Sequence, residues 1–165
     1  MLWSVLMATT LRALEFLGLS VWLGSDIFLS FVVAPGAFRV LAPNRDQAGA
    51  VVGFALTKMH VIGMACGIAI LLLRLLRTKS LSSDLAPAAL CLLLMIVLTA
   101  VSQITVTPKM AALRMQMGSI QATAADSPLL AEFGRLHQIS VSLESGVLLA
   151  GFACIYLMVR ELARG

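Results

Sequence analysis

Residues 85–107 read LAPAALCLLLMIVLTAVSQITVT, a run of 23 residues that contains no charged side chain. A helix of about 20 apolar residues crosses the hydrocarbon core of a bilayer, so this run predicts a membrane span. Ser82, Ser83 and Asp84 precede it and are typical N-cap residues. Pro108 follows it and predicts its end, because proline cannot continue the hydrogen-bond ladder of a helix.

Three other stretches are long and apolar enough to be spans, and they cover residues 13–34, 47–76 and 128–162. The first of them is predicted to stop at Pro35, again because of the missing N–H. Of the 165 residues, 60% are hydrophobic and 12% are charged, whereas soluble domains have about 45–50% and about 25%. This composition excludes a soluble fold. We expect one all-α domain over residues 1–165, a four-transmembrane-helix bundle, and no internal repeat is visible.

The segment between the last two spans, residues 109–125, carries apolar side chains at intervals of three and four. These are Met110, Leu113, Met117 and Ile120. Such spacing puts apolar residues on one face of a helix. It predicts a short amphipathic interfacial helix that lies on the membrane surface between the third and fourth spans.

The net charge of +4 is carried by cations that stand singly between the apolar stretches. They form no basic stripe, so we expect the lipid bilayer as partner and no nucleic acid. Arg74, Arg77 and Lys79 crowd the connection after the second span. Because cytoplasmic loops carry an excess of Lys and Arg, this density predicts that both termini are cytoplasmic. We expect a multi-pass protein of the bacterial inner membrane.

Polar side chains interrupt all four spans. At 1.5 Å of rise per residue, four of them lie about 21 to 28 Å from the helix ends predicted to be cytoplasmic. These four are Asp26, His60, Gln103 and Glu144, and we call them the polar layer. A charge that faces lipid near the bilayer centre costs at least about 2.5–3.5 kcal/mol, so these groups should meet each other, or Lys58 as a counter-charge, inside the bundle.

Small residues recur every three or four positions on the second span. This stripe consists of Gly49, Gly53, Thr57, His60, Gly63 and Gly67. Because small residues let a neighbouring backbone approach, its four glycines are predicted helix-packing positions. On the fourth span His137, Ser140 and Glu144 share one face, which should also point into the bundle.

His60 and His137 are the two histidines of the chain, so they are candidate metal ligands. A bis-histidine haem would need them level across the iron, whereas the helical rise separates their depths by about 13 Å. Copper would favour an added thioether, for which Met110 is a candidate. We expect no cofactor, with haem or copper as alternatives. No nucleophile elbow, phosphate-binding glycine loop or His-Glu-x-x-His motif is present, which argues against an enzyme.

Four segments resemble the transmembrane protein 205-like family, a group of four-helix integral membrane proteins classed as a domain of unknown function. They are WLGSDIFLSFVVAPGAFRVL at 22–41, AGAVVGFALTKMHVIG at 48–63, TVTPKMAALRMQM at 105–117 and FGRLHQISVSLESGVLLAG at 133–151. The resemblance implies a polytopic four-helix protein and, by looser analogy, a relation to copper or haem families. Asp26 and Lys58 depart from the family's usual residues. A family-wide function would then rest on Pro108, His137 and Glu144.

The function predicted is binding or movement of a small solute or ion through the polar layer. In this hypothesis Asp26 and Glu144 bind a cation or proton, His60 and His137 act as ligands or proton relays, and Lys58 supplies counter-charge. The first alternative is a structural or assembly subunit, packed through the glycine stripe into a homo-oligomer or a membrane complex. The second alternative is a haem- or copper-handling membrane protein. A purely structural polar layer, which only holds the helices in register, also stays open.

Overall fold

The computed structural model describes residues 2–78 and 87–163, and these contain helices and no strand. Four helices are long and apolar enough to cross a membrane, and we number them helix 1 to helix 4. They cover Val5–Val40, Arg45–Arg77, Pro87–Met117 and Pro128–Ala163. The predicted all-α, four-span fold is confirmed, and the chain is a polytopic membrane protein. The N-cap predicted at Ser82, Ser83 and Asp84 lies outside the described residues.

Helices 1 and 3 each contain a π-helical turn, whereas helices 2 and 4 are α-helical throughout. The elements in chain order are α-helix Leu2–Phe28, π-helix Leu29–Val33, α-helix Ala34–Val40, α-helix Arg45–Thr78, α-helix Pro87–Val101, π-helix Ser102–Val106, α-helix Thr107–Met117 and α-helix Pro128–Ala163. The predicted bounds of the second and fourth spans therefore differ from the observed ones by at most two residues.

Neither Pro35 nor Pro108 ends its helix, so the predicted ends of the first and third spans are wrong. A proline lacks the N–H of an α-helical bond, and its ring crowds the carbonyl four residues earlier. In both helices the residue before the proline instead donates its N–H to the carbonyl five residues earlier. This wider π turn accommodates the ring, and each helix continues beyond its proline.

The segment predicted as a separate surface helix is helical from Thr107 to Met117, and it continues helix 3 without a break. It also packs inward, because Leu113 is buried in a small cluster with Val106 and Leu136. The helix ends at Gly118, whose φ of +69° lies in the region that glycine adopts most readily. Residues 109–117 are therefore the last part of helix 3 and not a separate surface helix.

Helix 1 packs chiefly against helix 2 and helix 3 chiefly against helix 4, with further contacts between helices 2 and 3 and between helices 1 and 4. The Trp22 indole fills the centre of the first pair, where it lies directly over Gly63 and Gly67. The core around it consists of Leu19, Trp22, Leu23, Ile70, Ala88, Leu92, Met95, Val147, Ala150, Cys154 and Met158.

The two halves of the bundle repeat each other in their pattern of buried positions. Helix 1 recurs in helix 3 at an offset of 73 residues, which pairs Glu15 with Ala88, Leu19 with Leu92, Trp22 with Met95, Asp26 with Thr99 and Leu29 with Ser102. Helix 2 recurs in helix 4 at an offset of 84 residues, which pairs His60 with Glu144, Gly63 with Val147, Gly67 with Gly151, Ile70 with Cys154 and Arg74 with Met158. All twenty positions are buried.

The π turns and the prolines obey the same offset, since Pro35 and Pro108 each follow the start of their π turn by six residues. Few of the paired residues are identical, which is why the sequence shows no repeat. Both hairpins run in the same direction. Leu2 and Ala163 therefore lie at one end of the bundle, the terminal end, and the connections 41–44 and 118–127 lie at the other, the loop end. Cytoplasmic termini stay a prediction.

Candidate functional site

His60 lies at the centre of the candidate site and is completely buried. It projects from helix 2 on the same face as Gly63 and Gly67, one turn toward the loop end from the Trp22 indole. The spacing of three and four residues on this helix makes one continuous inward face. The indole therefore closes the site toward the terminal end of the bundle, and the imidazole lies on the loop-end side of the indole.

Both ring nitrogens of His60 contact polar side chains of the other hairpin. Nδ1 lies 2.8 Å from Oε1 of Gln103 on helix 3, and Nε2 lies 2.7 Å from Oε1 of Glu144 on helix 4. The Ser102 hydroxyl donates to the same Glu144 oxygen at 3.2 Å. Three of the residues predicted for the polar layer are thus in direct contact, and Ser102 joins them.

One proton must lie between His60 and Glu144. A contact of 2.7 Å between Nε2 and a carboxyl oxygen is a hydrogen bond, so either the imidazole donates to a carboxylate or a protonated carboxyl donates to the imidazole. With Oε1 of Gln103 accepting from Nδ1–H, the first case is an imidazolium–carboxylate pair and the second is neutral on both sides. The same geometry therefore accommodates two distributions of one proton.

Asp26 completes the layer from helix 1 and is also completely buried. Its Oδ1 accepts a hydrogen bond of 3.3 Å from the Ser30 hydroxyl, one turn further along helix 1. Its Oδ2 is buried with no hydrogen-bond partner among residues 2–78 and 87–163. The carboxyl group interacts electrostatically with His60 and Glu144, and among the described residues no hydrogen bond joins it to either of them. Asp26 thus stands as a second acidic group beside the His60–Glu144 pair.

Lys58 does not supply the predicted counter-charge. Its side chain is exposed, and its Nζ lies 5.4 Å from the centre of the Phe54 ring on the outside of helix 2. Lys58 directly precedes the buried pair of Met59 and His60, and successive helical residues point about 100° apart. Lys58 lies between Thr57 and His60 of the inward stripe but two positions before His60, and its ammonium points out of the bundle.

His137 is exposed on helix 4 and lies outside the contacts of the polar layer. Ser140 is buried on the Glu144 face, one turn before it, and Met110 packs against the cluster of Val106, Leu113 and Leu136. Both ring nitrogens of His60 are hydrogen-bonded to side chains, and the two histidines are not brought together as a ligand pair. In the part of the chain that the structure describes, no three His, Cys, Asp or Glu side chains are placed to hold a metal ion.

Three more buried polar side chains border the layer, and the sequence analysis did not select them as site residues. Ser102 bonds to Glu144, while Thr99 Oγ1 and Trp22 Nε1 are buried and lack a hydrogen-bond partner within the described ranges. Thr99 occupies the repeat position of Asp26 on helix 3. Serine and threonine usually bond their own helix backbone, so composition alone does not distinguish them. The four-residue spacing from Thr99 to Gln103, which places both side chains on one face of a helix, was the sequence signal that could have identified Thr99.

A second polar cluster lies at the terminal end and was missed. Glu15 is buried, and its carboxylate accepts from Arg77 Nε at 3.0 Å and lies 3.8 Å from Nη1 of the buried Arg74. Arg74 also donates to Glu161 at 2.8 Å. From the sequence, Arg74 and Arg77 were predicted as topology signals only. In the structure they tie helices 1, 2 and 4 together at one end of the bundle.

Glu15→Gln is expected to lower the free energy of unfolding by about 1.5–3 kcal/mol, the range for a hydrogen bond to a charged group. The amide keeps the size of the side chain but removes the charge that both guanidinium groups face. Reversible unfolding in mixed micelles measures the change. Glu132→Gln is the control, because Glu132 is exposed on helix 4. Equal stability of the two variants would contradict the prediction.

A family model described as a domain of unknown function, DUF4149, matches residues 17–119. The matched region contains Asp26, His60 and Gln103 and ends before helix 4, which supplies Glu144. No curated protein and no solved structure matches the chain. The finer resemblance to the transmembrane protein 205-like family stays a prediction.

Proposed function

We propose that this chain, which belongs to the DUF4149 family and carries that family's domain of unknown function, has a proton-binding site in its polar layer. Through this site the protein would bind or move a small solute or ion between its two helix hairpins. The proton is held by Glu144, His60 and Asp26, and Gln103 and Ser102 orient the first two. This proposal concerns the residues of the layer and leaves the identity of the solute open.

The charge balance of the layer is the observation that carries the proposal. Two carboxyl groups and one imidazole are buried together, and within residues 2–78 and 87–163 no Lys or Arg forms an ion pair with them. Helix 3 adds only the uncharged Gln103, Ser102 and Thr99. An unneutralised carboxylate inside the membrane is costly. With His60 pairing Glu144, a bound proton or cation is what remains to neutralise Asp26.

The short contact from His60 to Glu144 supports proton exchange. The heavy atoms Nε2 and Oε1 are 2.7 Å apart. Transfer of one proton along this hydrogen bond changes the charge on both partners without moving either side chain. Glu144 Oε2 is buried and lacks a hydrogen-bond partner in the described chain, so the carboxyl group has a second oxygen that can take up a proton. The pair and Asp26 together can therefore hold different numbers of protons in one fold.

The position of the layer supports movement of a solute or ion. His60 and Glu144 are the equivalent residues of the two hairpins, so their contact lies between the repeats. Many transporters are built from internal repeats, with sites inside the membrane at the repeat interface and beside irregular helix turns. Here the π turns Leu29–Val33 and Ser102–Val106 change the helical hydrogen bonding three residues after Asp26 in helix 1 and at Gln103 itself in helix 3. Such turns are frequent at functional sites.

Infrared difference spectroscopy on protein reconstituted in lipid tests proton binding. A step in buffer pH is expected to produce a carboxyl C=O difference band that shifts in heavy water. Asp26→Asn and Glu144→Gln should each weaken this band, and the double variant should remove it, because amides cannot bind the proton. Glu132→Gln, at an exposed position on helix 4, should leave the band of the buried groups in place.

Proton flux into vesicles, followed with a pH-sensitive dye, tests movement. Asp26→Asn should slow it by about a hundredfold or more, the lower end of the range for loss of an acid–base group. Variants that lose thermal stability while band and flux stay unchanged would show a purely structural layer or an assembly subunit. An iron or copper signal that depends on His60 would favour the cofactor alternative.

A further inference from the structure

Arg114 brings a positive charge into the loop end of the bundle. It lies eleven residues beyond Gln103 on the extension of helix 3, which places it about 16 Å nearer the loop end than the polar layer. The side chain is half-buried, and its Nε is buried with no hydrogen-bond partner among the described residues. Nη1 and Nη2 point across to helix 2.

Gly49 and Gly53 make the space that the guanidinium occupies. A Cβ built on Gly49 would lie 3.0 Å from Arg114 Nη2, and one on Gly53 would lie 3.8 Å from Nη1. The sequence predicts these glycines as contacts between helix backbones. In the structure a planar cation, not a neighbouring backbone, lies over them. The first half of the glycine stripe thus cradles a charged group.

Helix 4 supplies an aromatic wall to this cradle. The centre of the Phe133 ring lies 5.8 Å from Arg114 Cζ, within the range of a cation–π contact. Such a contact holds the guanidinium plane in place and leaves the full positive charge. A guanidinium fixed on one side by a ring and on another by two glycines keeps N–H donors for a further partner.

No carboxylate forms an ion pair or hydrogen bond with Arg114 within the described ranges. Asp46 is the acidic group that interacts with it electrostatically, but both Asp46 oxygens are engaged: one accepts from the Ser119 hydroxyl and the other from the Ile120 N–H. No ion pair of 4.0 Å or less joins Arg114 to an acid there. At the terminal end, by contrast, Arg77 is paired with a glutamate at 3.0 Å.

We infer that Arg114, with Gly49, Gly53 and Phe133, forms a binding site for an oxyanion at the loop end of the bundle. A carboxylate or phosphate group matches it, because guanidinium binds two oxygens of such groups with parallel hydrogen bonds. A free organic acid or phosphate and the headgroup of an anionic phospholipid share this chemistry. The site uses none of the residues of the polar layer, so its test does not depend on the proposed proton binding.

Nitrogen-15 NMR of the full-length protein in an uncharged detergent tests the site directly. The Nε–H signal of Arg114 is assigned by its loss in Arg114→Lys. Titration with sodium phosphate or sodium acetate is expected to shift this signal and to saturate, whereas sodium chloride at equal ionic strength should not. A parallel sample in phosphatidylglycerol nanodiscs, compared with phosphatidylcholine nanodiscs, separates a lipid headgroup from a free anion.

Gly49→Ala is the informative variant, because its methyl group displaces Nη2 while the charge remains. It should weaken the saturable binding by about tenfold, the effect of losing one charge-assisted hydrogen bond. Gly134→Ala is the control at the same end, since nothing lies within 4 Å of its Cβ position. Saturation with phosphate or acetate identifies a solute site, and a shift only with phosphatidylglycerol identifies a lipid site. The absence of a saturable Arg114 shift in every sample, or an equal shift at the exposed Arg135, would overturn the inference.

Discussion

Gly63→Leu is expected to prevent helices 1 and 2 from packing. A Cβ at Gly63 would lie 2.3 Å from Nε1 and 2.6 Å from Cδ1 of Trp22, so even the first carbon of a side chain overlaps the indole. The indole is rigid, completely buried and surrounded by core residues, so it cannot move aside as a flexible side chain could. We expect a loss of more than about 3 kcal/mol, beyond the usual upper range for overpacking.

Thermal unfolding followed by Trp fluorescence and by gel filtration in mild detergent measures this effect. Gly24→Leu is the matched control, because Gly24 lies on the exposed side of helix 1 with nothing within 4 Å of its Cβ position. Gly151→Leu should have a smaller effect, since the atom it meets is the flexible end of Leu23. A Gly63→Leu protein as stable as the Gly24→Leu protein would contradict the packing described for Trp22.

Glu144→Leu alone is expected to lower the free energy of unfolding by about 3–5 kcal/mol, the range for removing one partner of a buried pair. His60 Nε2 and the Ser102 hydroxyl then lose their common acceptor. His60→Leu together with Glu144→Leu should cost much less than the sum of the two single changes, because no polar group of the pair is left behind. A double-mutant cycle in mixed micelles measures the difference.

The coupling energy between His60 and Glu144 shows whether the two residues stabilise the fold as a unit. Interhelical hydrogen bonds in membrane proteins couple by about 0.6 kcal/mol on average and about 1.7 at most. We expect the His60–Glu144 coupling at or above the upper figure, because charge and hydrogen bonding act together. Glu132→Leu, at an exposed acid of the same helix, provides the control. Additive effects of the two single changes would show that the pair does not act as a unit.

The helices could be predicted from the sequence because a hydrophobic run of about 20 residues has the length needed to cross the hydrocarbon core. The ends of helices 1 and 3 could not, since Pro35 and Pro108 usually stop a helix. Only the backbone structure shows that a π turn accommodates each proline ring. The internal repeat was hidden for a related reason: burial is conserved between the hairpins, whereas residue type changes from Asp26 to Thr99 and from His60 to Glu144.

The polar layer could be predicted in part because depth follows from counting residues along a helix. Counting gave the level of Asp26, His60 and Glu144, but it could not tell that Lys58 faces outward two positions before His60. A rotation of about 200° separates these two side chains, and only packing decides which of them is turned inward. The position of Arg114 could not be predicted, because the glycines over which it lies are 61 to 65 residues earlier in the chain.

The repeat determines how an acid can be placed opposite a base inside a membrane. If one hairpin associated with an identical copy about a two-fold axis, a residue on that axis would meet its own twin. Two histidines or two glutamates would then face each other, and like groups compete for the same proton. Joining two unequal hairpins in a single chain lets one contribute His60 and the other Glu144. An acid and a base can therefore face each other on the axis of a fused protein, whereas identical residues face each other on the axis of a symmetric dimer.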